Sequence, residues 1–412
     1  MLVQCKTLPQ TAVTPLPEET KGPSIAIAVL CIVLVALTLR PGIVSIGPLL
    51  PEIIQELGLS YIQAALLTSI PTLLMGALAI PAPWLAHRFG RDRVILAALL
   101  VLGASIGLRT LVGSIGQLFF ATAGVGAGIA IAGTLLSGYV KARFPTKVAI
   151  FMGLYTTSIA LGSTLAAAST GPLAEAAENW RWAAGFWVLP VALAIGAWLF
   201  IERNGRQKRA SGALSAAPRL PLRNPTAWLI ALFFACNNLV FYAMIAWLAP
   251  IYIELGNTPT AAGMILAGYT LGFMVATPLF GFISRNDDRR IVLAVSAGIA
   301  LLGSLAIAVA PNTLPMLWVP LAAFGTGGAF TLAMTLPLDN ASTPEEAGAW
   351  SAFVMLPSYI VAAVGPLLVG FLRDIGDSFH LSLWVLVVIG AVMLLVTPFL
   401  KPNRNNKVLI SP

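Results

Sequence analysis

Charge is the property that this sequence has least of. Only 10% of its 412 residues are Asp, Glu, Lys or Arg, and 58% are hydrophobic, whereas a soluble domain carries about 25% charged residues. The mean hydropathy is correspondingly high, at +0.89. This composition excludes an ordinary soluble globular protein. It predicts a polytopic membrane protein whose helices face lipid as well as each other.

Carboxylates are missing from the middle of every long apolar run. All 16 Asp and Glu residues lie in the tails, in loops or near the ends of predicted helices, and neither of the 2 His residues lies deep. A proton-coupled transporter usually places a titratable group inside the membrane. The distribution therefore favours facilitated transport or exchange. Glu52 and Asp339 are the exceptions if their helix ends lie deeper than we place them.

Residues that perform covalent or metal chemistry are also scarce. The 3 Cys residues lie in a tail and in two separate apolar runs, without disulfide or metal-ligand spacing, so we expect them to be small hydrophobic residues. The sequence has no nucleophile–base pair, metal cluster or phosphate loop. We therefore expect no enzyme activity, no metal and no cofactor. The net charge of +8 lies in short loops, which argues against a nucleic-acid partner.

What the sequence has instead is twelve apolar runs long enough to cross a bilayer, for which about 20 residues suffice. A basic segment, residues 202–225, divides them into two groups of six. We predict an all-α fold of two six-helix bundles, residues 24–201 and 226–400, with tails of residues 1–23 and 401–412. The twelve runs are 24–55, 60–87, 93–112, 115–140, 147–173, 180–201, 226–254, 259–284, 290–310, 314–338, 346–372 and 381–400.

The basic residues indicate how the chain is oriented. Of the 24 Lys and Arg residues, 20 fall in the tails and loops on the side of the N-terminus, and three, Arg109, Arg181 and Arg373, fall on the other side. The positive-inside rule therefore predicts cytoplasmic termini, and we expect the protein in the inner (plasma) membrane. The first 23 residues are polar and Pro-rich, which predicts a disordered cytoplasmic tail. We expect Arg109 to be a snorkelling interface anchor. The alternative is that it guides anions into an outer vestibule.

The two groups of runs are related to each other in sequence. Pro51 recurs as Pro250 and Pro145 recurs as Pro344, in each case 199 residues later. Short motifs recur at nearly the same offset. Duplication of this kind is typical of transporters that are built from repeats and bind their substrate at the midplane between them.

One charged residue does lie deep in an apolar run. Arg40 is about 16 residues into the first run, or roughly 24 Å along a helix, where a guanidinium costs about 2.5–3.5 kcal/mol on insertion scales. It must therefore face a partner or a wet cavity. No carboxylate occurs at its depth, so we favour an anchor for an anionic substrate over a structural contact with backbone carbonyls. A planar, permanently charged fork suits small anions.

Other polar residues are candidates for the same cavity. The repeat offset carries the deep arginine to the seventh run, next to Asn237 and Asn238, with Tyr242 one turn further on. These side chains can bind substrate or make polar contacts between helices. Tyr155 and Tyr359 lie on the repeat-related fifth and eleventh runs, and we predict that they line the cavity as well.

The loop after the second run carries a recognisable motif. Residues 83–93, PWLAHRFGRDR, resemble the loop 2–3 signature of the major facilitator superfamily, and residues 281–290, GFISRNDDRR, resemble its degenerate second copy. The resemblance implies alternating access between two bundles. It also implies a conformational motif in which glycine permits a tight turn and arginines hold helix ends. His87 replaces the usual Asp, so a latch based on that Asp is not expected. The motif residues are Arg88, Gly90, Arg91, Arg93, Gly281, Arg289 and Arg290.

A narrower resemblance concerns three other segments. Residues 39–51, LRPGIVSIGPLLP, look like the first-helix signature of the cyanate permease family, the CynX/NimT group, and residues 246–250 and 325–330 also resemble that family. We therefore expect a monomeric secondary transporter that moves a small, cyanate-like or organic anion across the lipid bilayer. One alternative is an exporter of small drug-like or aromatic compounds, in which Arg40 is structural. Another is a membrane receptor or sensor that does not transport.

Overall fold

The computed structural model describes residues 25–144, 147–204, 220–284, 288–341 and 344–401. Within these ranges the chain is helical, without strands. Twelve helical segments in the described chain are long and apolar enough to cross a membrane, which confirms the predicted twelve-helix fold. The predicted N-terminal tail, the C-terminal tail beyond Lys401 and linker residues 205–219 lie outside the described residues.

The first half, residues 25–204, contains two interrupted spans. Its first membrane segment is divided into three short helices, one short helix follows the second span, and another begins the sixth. The helices are α1 (Ile25–Thr38), α2 (Pro41–Val44), α3 (Ile46–Leu57), α4 (Tyr61–Ala79), α5 (Ala82–Phe89), α6 (Arg91–Leu108), α7 (Ile115–Arg143), α8 (Val148–Ala177), α9 (Trp180–Gly185) and α10 (Val188–Asn204).

The second half, residues 220–401, repeats the arrangement with longer helices. Pro225, Pro259 and Pro315 stand near the first position of their helices, where the missing N–H of proline leaves nothing unpaired. The helices are α11 (Pro225–Glu254), α12 (Pro259–Ile283), α13 (Arg290–Val309), α14 (Pro315–Asn340), α15 (Pro344–Ile375) and α16 (His380–Val396).

The halves meet through two helix pairs that the repeat relates to each other. In one pair α4 packs on α15, and in the other α8 packs on α12. Both crossings depend on glycine, because a Cβ at Gly370 would lie 2.6 Å from the Tyr61 carbonyl oxygen and one at Gly171 would lie 2.6 Å from that of Pro259. The two glycines are 199 residues apart, so the duplication supplies the same close contact twice.

Two carboxylates join the halves at one end, which we call the distal end; the proximal end is the one where α1 begins and α16 ends. Asp374 accepts hydrogen bonds from the backbone N–H groups of Tyr61 and Ile62, both at 2.8 Å, at the start of α4. Glu175 accepts one from the N–H of Thr260, at 3.1 Å, at the start of α12. Each carboxylate thus binds N–H groups that a helix leaves unpaired, at the positive end of its dipole.

An arginine strengthens this distal contact. The Arg373 Cζ atom lies 4.6 Å from the centroid of the Tyr61 ring, and its Nε atom pairs with Glu254 at 3.1 Å. The Tyr61 ring also lies 5.8 Å from that of Trp247 in the second half. The structure therefore represents a conformation in which the distal end is closed.

We expect Asp374→Asn to weaken the distal closure. An anion at a helix N-terminus contributes about 0.3–1 kcal/mol, so the closed-to-open ratio should fall about two- to fivefold. Distances between spin labels at Gly113→Cys and Thr313→Cys, in exposed distal loops of the two halves, should show more of the open form. Asp377→Asn, an exposed carboxylate three residues further on, is the matched control. Identical distance distributions for Asp374→Asn and the native protein would contradict the latch.

Candidate functional site

The first span is broken where it reaches the interior of the bundle. Helix α1 ends at Thr38, α2 begins at Pro41, and Arg40 stands at the break with φ −116° and ψ −29°. Because Pro41 has no N–H, the carbonyl of Leu37 loses the hydrogen bond that a continuous helix would supply. The Arg-Pro sequence thus places a charged side chain beside a local opening of the helix.

Glycines on both sides let neighbouring helices approach this break. A Cβ added at Gly162 of α8 would overlap the Leu37 carbonyl oxygen, so α8 can approach there only because residue 162 is glycine. On the other side, a Cβ at Gly42 would lie 2.9 Å from Val125 Cγ1 of α7. The break is therefore packed between the helices of its own half.

The Arg40 side chain extends from the first half to the second. Its Cζ atom lies 5.4 Å from the centroid of the Tyr242 ring on α11, which is cation–π distance. Tyr155 and Tyr359 are near enough to interact with it electrostatically, and the Tyr359 ring centroid is 6.4 Å from that of Tyr242. The structure thus brings together the predicted arginine and all three predicted tyrosines.

Arg40 has no ion-pair partner within the described ranges, where other arginines form ion pairs. The nearby hydroxyls contact neutral groups or Arg40 itself. Tyr155 donates to the Gly133 carbonyl at 3.2 Å, and Tyr242 Oη lies 3.9 Å from Met75 Sδ. The site therefore combines one permanent positive charge with neutral aromatic and hydroxyl groups, an arrangement that suits an anion.

The two asparagines of α11 are buried, at 0% exposure for Asn237 and 2% for Asn238. Three of their amide atoms lack a hydrogen-bond partner in the described chain: Nδ2 and Oδ1 of Asn237, and Nδ2 of Asn238. Residues four apart share a helix face, so Asn238 lies on the face of Tyr242, and Asn237 lies on that of Phe241. The structure shows that only Asn238 shares the Tyr242 face.

The prediction that Arg109 is a snorkelling interface anchor is wrong. Its side chain is completely buried, at 0% exposure, because α6 ends in a tight turn, Arg109–Leu111, that directs the side chain inward. Its Nη1 atom donates to the Gly42 carbonyl at 2.6 Å, and Nη2 faces Thr122 Oγ1 at 3.5 Å. The depth of each residue along its span could have indicated this contact in advance, because Arg109 is 18 residues from the start of α6 and Gly42 is 17 residues from the start of α1.

The first copy of the predicted conformational motif lies at the proximal end. Gly90 has φ +92°, a left-handed conformation that glycine adopts without steric cost. Arg88 Cζ lies 5.6 Å from the Trp84 ring within α5, and Arg91 Cζ lies 4.9 Å from the Tyr139 ring of α7. Helices α5, α6 and α7 therefore meet at this motif, with Arg93 in the first turn of α6.

The second copy makes ionic contacts. Arg289 bonds to the Asp339 carboxylate of α14 through Nε at 2.6 Å, which places Asp339 at the proximal end instead of in the cavity. Arg290 pairs with Asp288 at 2.6 Å. Gly281 lies on α12 where that helix faces α14. Both copies join neighbouring helices within one half.

Comparisons with known proteins extend over nearly the whole chain. A model of the Major Facilitator Superfamily matches residues 28–256 and 243–410. The cyanate transport protein CynX of Escherichia coli strain K12 is 32% identical over 367 residues, covering 89% of this chain and 95% of that protein. The 2-nitroimidazole transporter of the same strain is 31% identical over 367 residues, covering 88% and 92%.

Solved structures share the fold at low sequence identity. A bacterial homolog of the human lysosomal transporter Spinster, in an inward-facing and occupied conformation, has a TM-score of 0.77 at 18% identity, over 92% of this chain and 97% of that one. A D-xylose–proton symporter has a TM-score of 0.75 at 14% identity, over 93% and 100%. At these identities the likeness establishes the fold alone.

We expect Gly162→Ala to disturb the break that positions Arg40. The added methyl group would overlap the Leu37 carbonyl, and overpacking of this kind costs about 1–3 kcal/mol. The variant should unfold at a lower temperature in detergent. Gly153→Ala is the matched control on the same helix, because a Cβ there meets no atom within 4 Å. Equal melting temperatures for the two variants would show that the contact at Gly162 is not tight.

Proposed function

Because the chain belongs to the major facilitator superfamily, we propose that it transports a small anion by alternating access, with Arg40 as the anion anchor. The chain is a multi-pass membrane protein with twelve candidate spans in the described residues. Its family and its relatives are transporters of small solutes and not enzymes. The nature of the solute and the role of Arg40 are the proposal.

The observation that carries the proposal is the unbalanced charge of Arg40. A guanidinium away from bulk water needs a counter-charge or hydrogen-bond acceptors, and the described residues provide Arg40 with no carboxylate. A bound anion would supply the missing negative charge. The planar fork of arginine donates two parallel hydrogen bonds, and therefore fits a carboxylate or a small inorganic anion.

The position of the anchor suits alternating access. Arg40 belongs to the first half and Tyr242 and Tyr359 to the second, so an anion between them would contact both halves. Closing the distal end through Asp374 and Glu175, as in this structure, would leave access from the proximal end. Opening the distal latch would then expose the same site to the other side. The side-chain amides of Asn237 and Asn238, on α11, offer hydrogen-bond donors and acceptors to the rest of the solute.

Cyanate is the specific substrate that we propose to test. The relative named as a cyanate transport protein is 32% identical across 95% of its length, and cyanate is a small anion of the kind that a guanidinium binds. The proposed setting is the inner membrane of a bacterium with both termini cytoplasmic, since the basic loops lie on the proximal side. The carboxylate distribution supports facilitated transport or exchange.

A second candidate function is export of small aromatic compounds. It is favoured by the 31% identity to a 2-nitroimidazole transporter and by the rings next to the site. Phe241 lies 4.5 Å from Phe273 between centroids, and Phe273 lies 5.5 Å from Phe330. In that function Arg40 would be structural, held by the Tyr242 ring face.

We expect Arg40→Ala to abolish cyanate counterflow in proteoliposomes and Arg40→Lys to weaken it at least about tenfold, because a hydrogen bond to a charged group contributes about 1.5–3 kcal/mol. Arg181→Lys is the control, since Arg181 pairs with Glu56 at 2.7 Å away from the cavity. Normal cyanate counterflow by Arg40→Ala would refute the anchor. Transport of 2-nitroimidazole, but not cyanate, by the native protein and by Arg40→Ala would favour the aromatic exporter.

A further inference from the structure

A second arginine lies buried behind the proposed anchor, and alternating access as described above gives it no role. Arg109 is 0% exposed and has no carboxylate partner in the described chain. Its Nε atom is also without a hydrogen-bond partner there. Burying a charge in this way opposes folding, so a purely structural role could be filled at lower cost by an apolar side chain.

The partner that Arg109 does have is at the helix break. Its Nη1 atom donates to the Gly42 carbonyl at 2.6 Å, a short distance that is typical of a hydrogen bond from a charged donor. Gly42 belongs to α2, which is a single helical turn, Pro41–Val44. The Arg40 carbonyl accepts the N–H groups of Ile43 and Val44, at 3.0 and 3.1 Å. The backbones of Arg40 and Gly42 therefore belong to one hydrogen-bonded turn.

The Gly42 face of this turn is packed tightly against the first half. A Cβ at Gly42 would lie 2.9 Å from Val125 of α7 and 3.4 Å from Ile106 of α6, so the Gly42 face is packed against both helices. Side chains two positions apart on a helical turn point in nearly opposite directions, since each residue rotates the chain by about 100°. With Gly42 directed into its own half, Arg40 is directed toward the second half, where Tyr242 lies.

We infer that Arg109 is a positioning residue for anion binding: by holding the Gly42 carbonyl, it keeps the α2 turn in the orientation that directs Arg40 into the site. The inference rests on the proposed function only in so far as Arg40 binds the anion. A charged donor suits this task because the break leaves the turn short of helical hydrogen bonds, and a strong bond to one carbonyl replaces part of what a continuous helix would provide.

The orientation of residue 40 can be measured without any substrate. In a background with Cys5, Cys31 and Cys236 replaced by Ser, Arg40→Cys is exposed to a water-soluble methanethiosulfonate reagent, and its labelling rate is followed by mass spectrometry. We expect Arg109→Met to slow labelling of the new cysteine at least tenfold. Arg109→Lys, which keeps a charged donor, should restore most of the rate. Unfolding temperatures measured in parallel identify variants that have lost the fold.

Arg181→Met is the matched control for labelling. Arg181 lies in the same half and near the same end, but it pairs with Glu56 and donates to the Val112 carbonyl at 2.8 Å, away from the break. Its replacement should leave the labelling rate unchanged. An unchanged rate in Arg109→Met would overturn the inference, and so would equal slowing in Arg109→Met and Arg181→Met, which would indicate general loosening of the distal end.

A transport measurement separates this inference from the proposed function. With Arg40 intact and cyanate as the probe, Arg109→Met should raise KM at least fivefold with a smaller change in maximal rate, and Arg109→Lys should recover part of the affinity. If the native protein does not transport cyanate, the proposed substrate fails while the labelling result stands by itself. If Arg109→Met abolishes cyanate binding without slowing labelling, Arg109 contacts the anion directly, and the positioning role is refuted.

Discussion

A positive charge without a negative partner among the described residues is the constraint on which the interior of this protein depends. Water stabilises a guanidinium far better than an apolar interior does, so the chain must compensate Arg40 locally. It does so with the face of the Tyr242 ring at 5.4 Å, with neutral hydroxyls and with a helix break that frees backbone groups nearby. None of these groups cancels the charge of Arg40. An anion that enters the site would neutralise it, and the free energy gained in this way would favour binding of the anion.

The same region shows how small residues make a charged site compatible with close packing. Gly162 leaves room for the Leu37 carbonyl, and Gly42 allows α2 to pack on α6 and α7. At the distal end, Gly171 and Gly370, which are 199 residues apart, likewise admit the starts of α12 and α4. The carboxylates of Glu175 and Asp374 bind the N–H groups that those starts expose. Contacts between polar backbone and single charges thus connect the halves.

Much of this architecture could be predicted from the sequence, because apolar runs, prolines and repeat offsets are local properties. The twelve spans and the proximity of Arg40 to Tyr155, Tyr242 and Tyr359 follow from depth and duplication. The prediction for Arg109 was wrong because the side chain of a residue at the end of a span can face outward or into the bundle. The tight turn after α6 determines which of the two it does. The distal latch was not predictable either, because Asp374 and Tyr61 are 313 residues apart. The local sequence around an exposed carboxylate does not identify its partner.

The most direct test of the central claim is to locate a bound anion. Crystals grown with selenocyanate, a heavy-atom analogue of cyanate, would give an anomalous selenium signal at the binding site. The account predicts that the anion lies within hydrogen-bonding distance of the Arg40 guanidinium, between the first half and Tyr242. A fully occupied selenocyanate elsewhere in the cavity, with Arg40 still bonded only to protein groups, would contradict it.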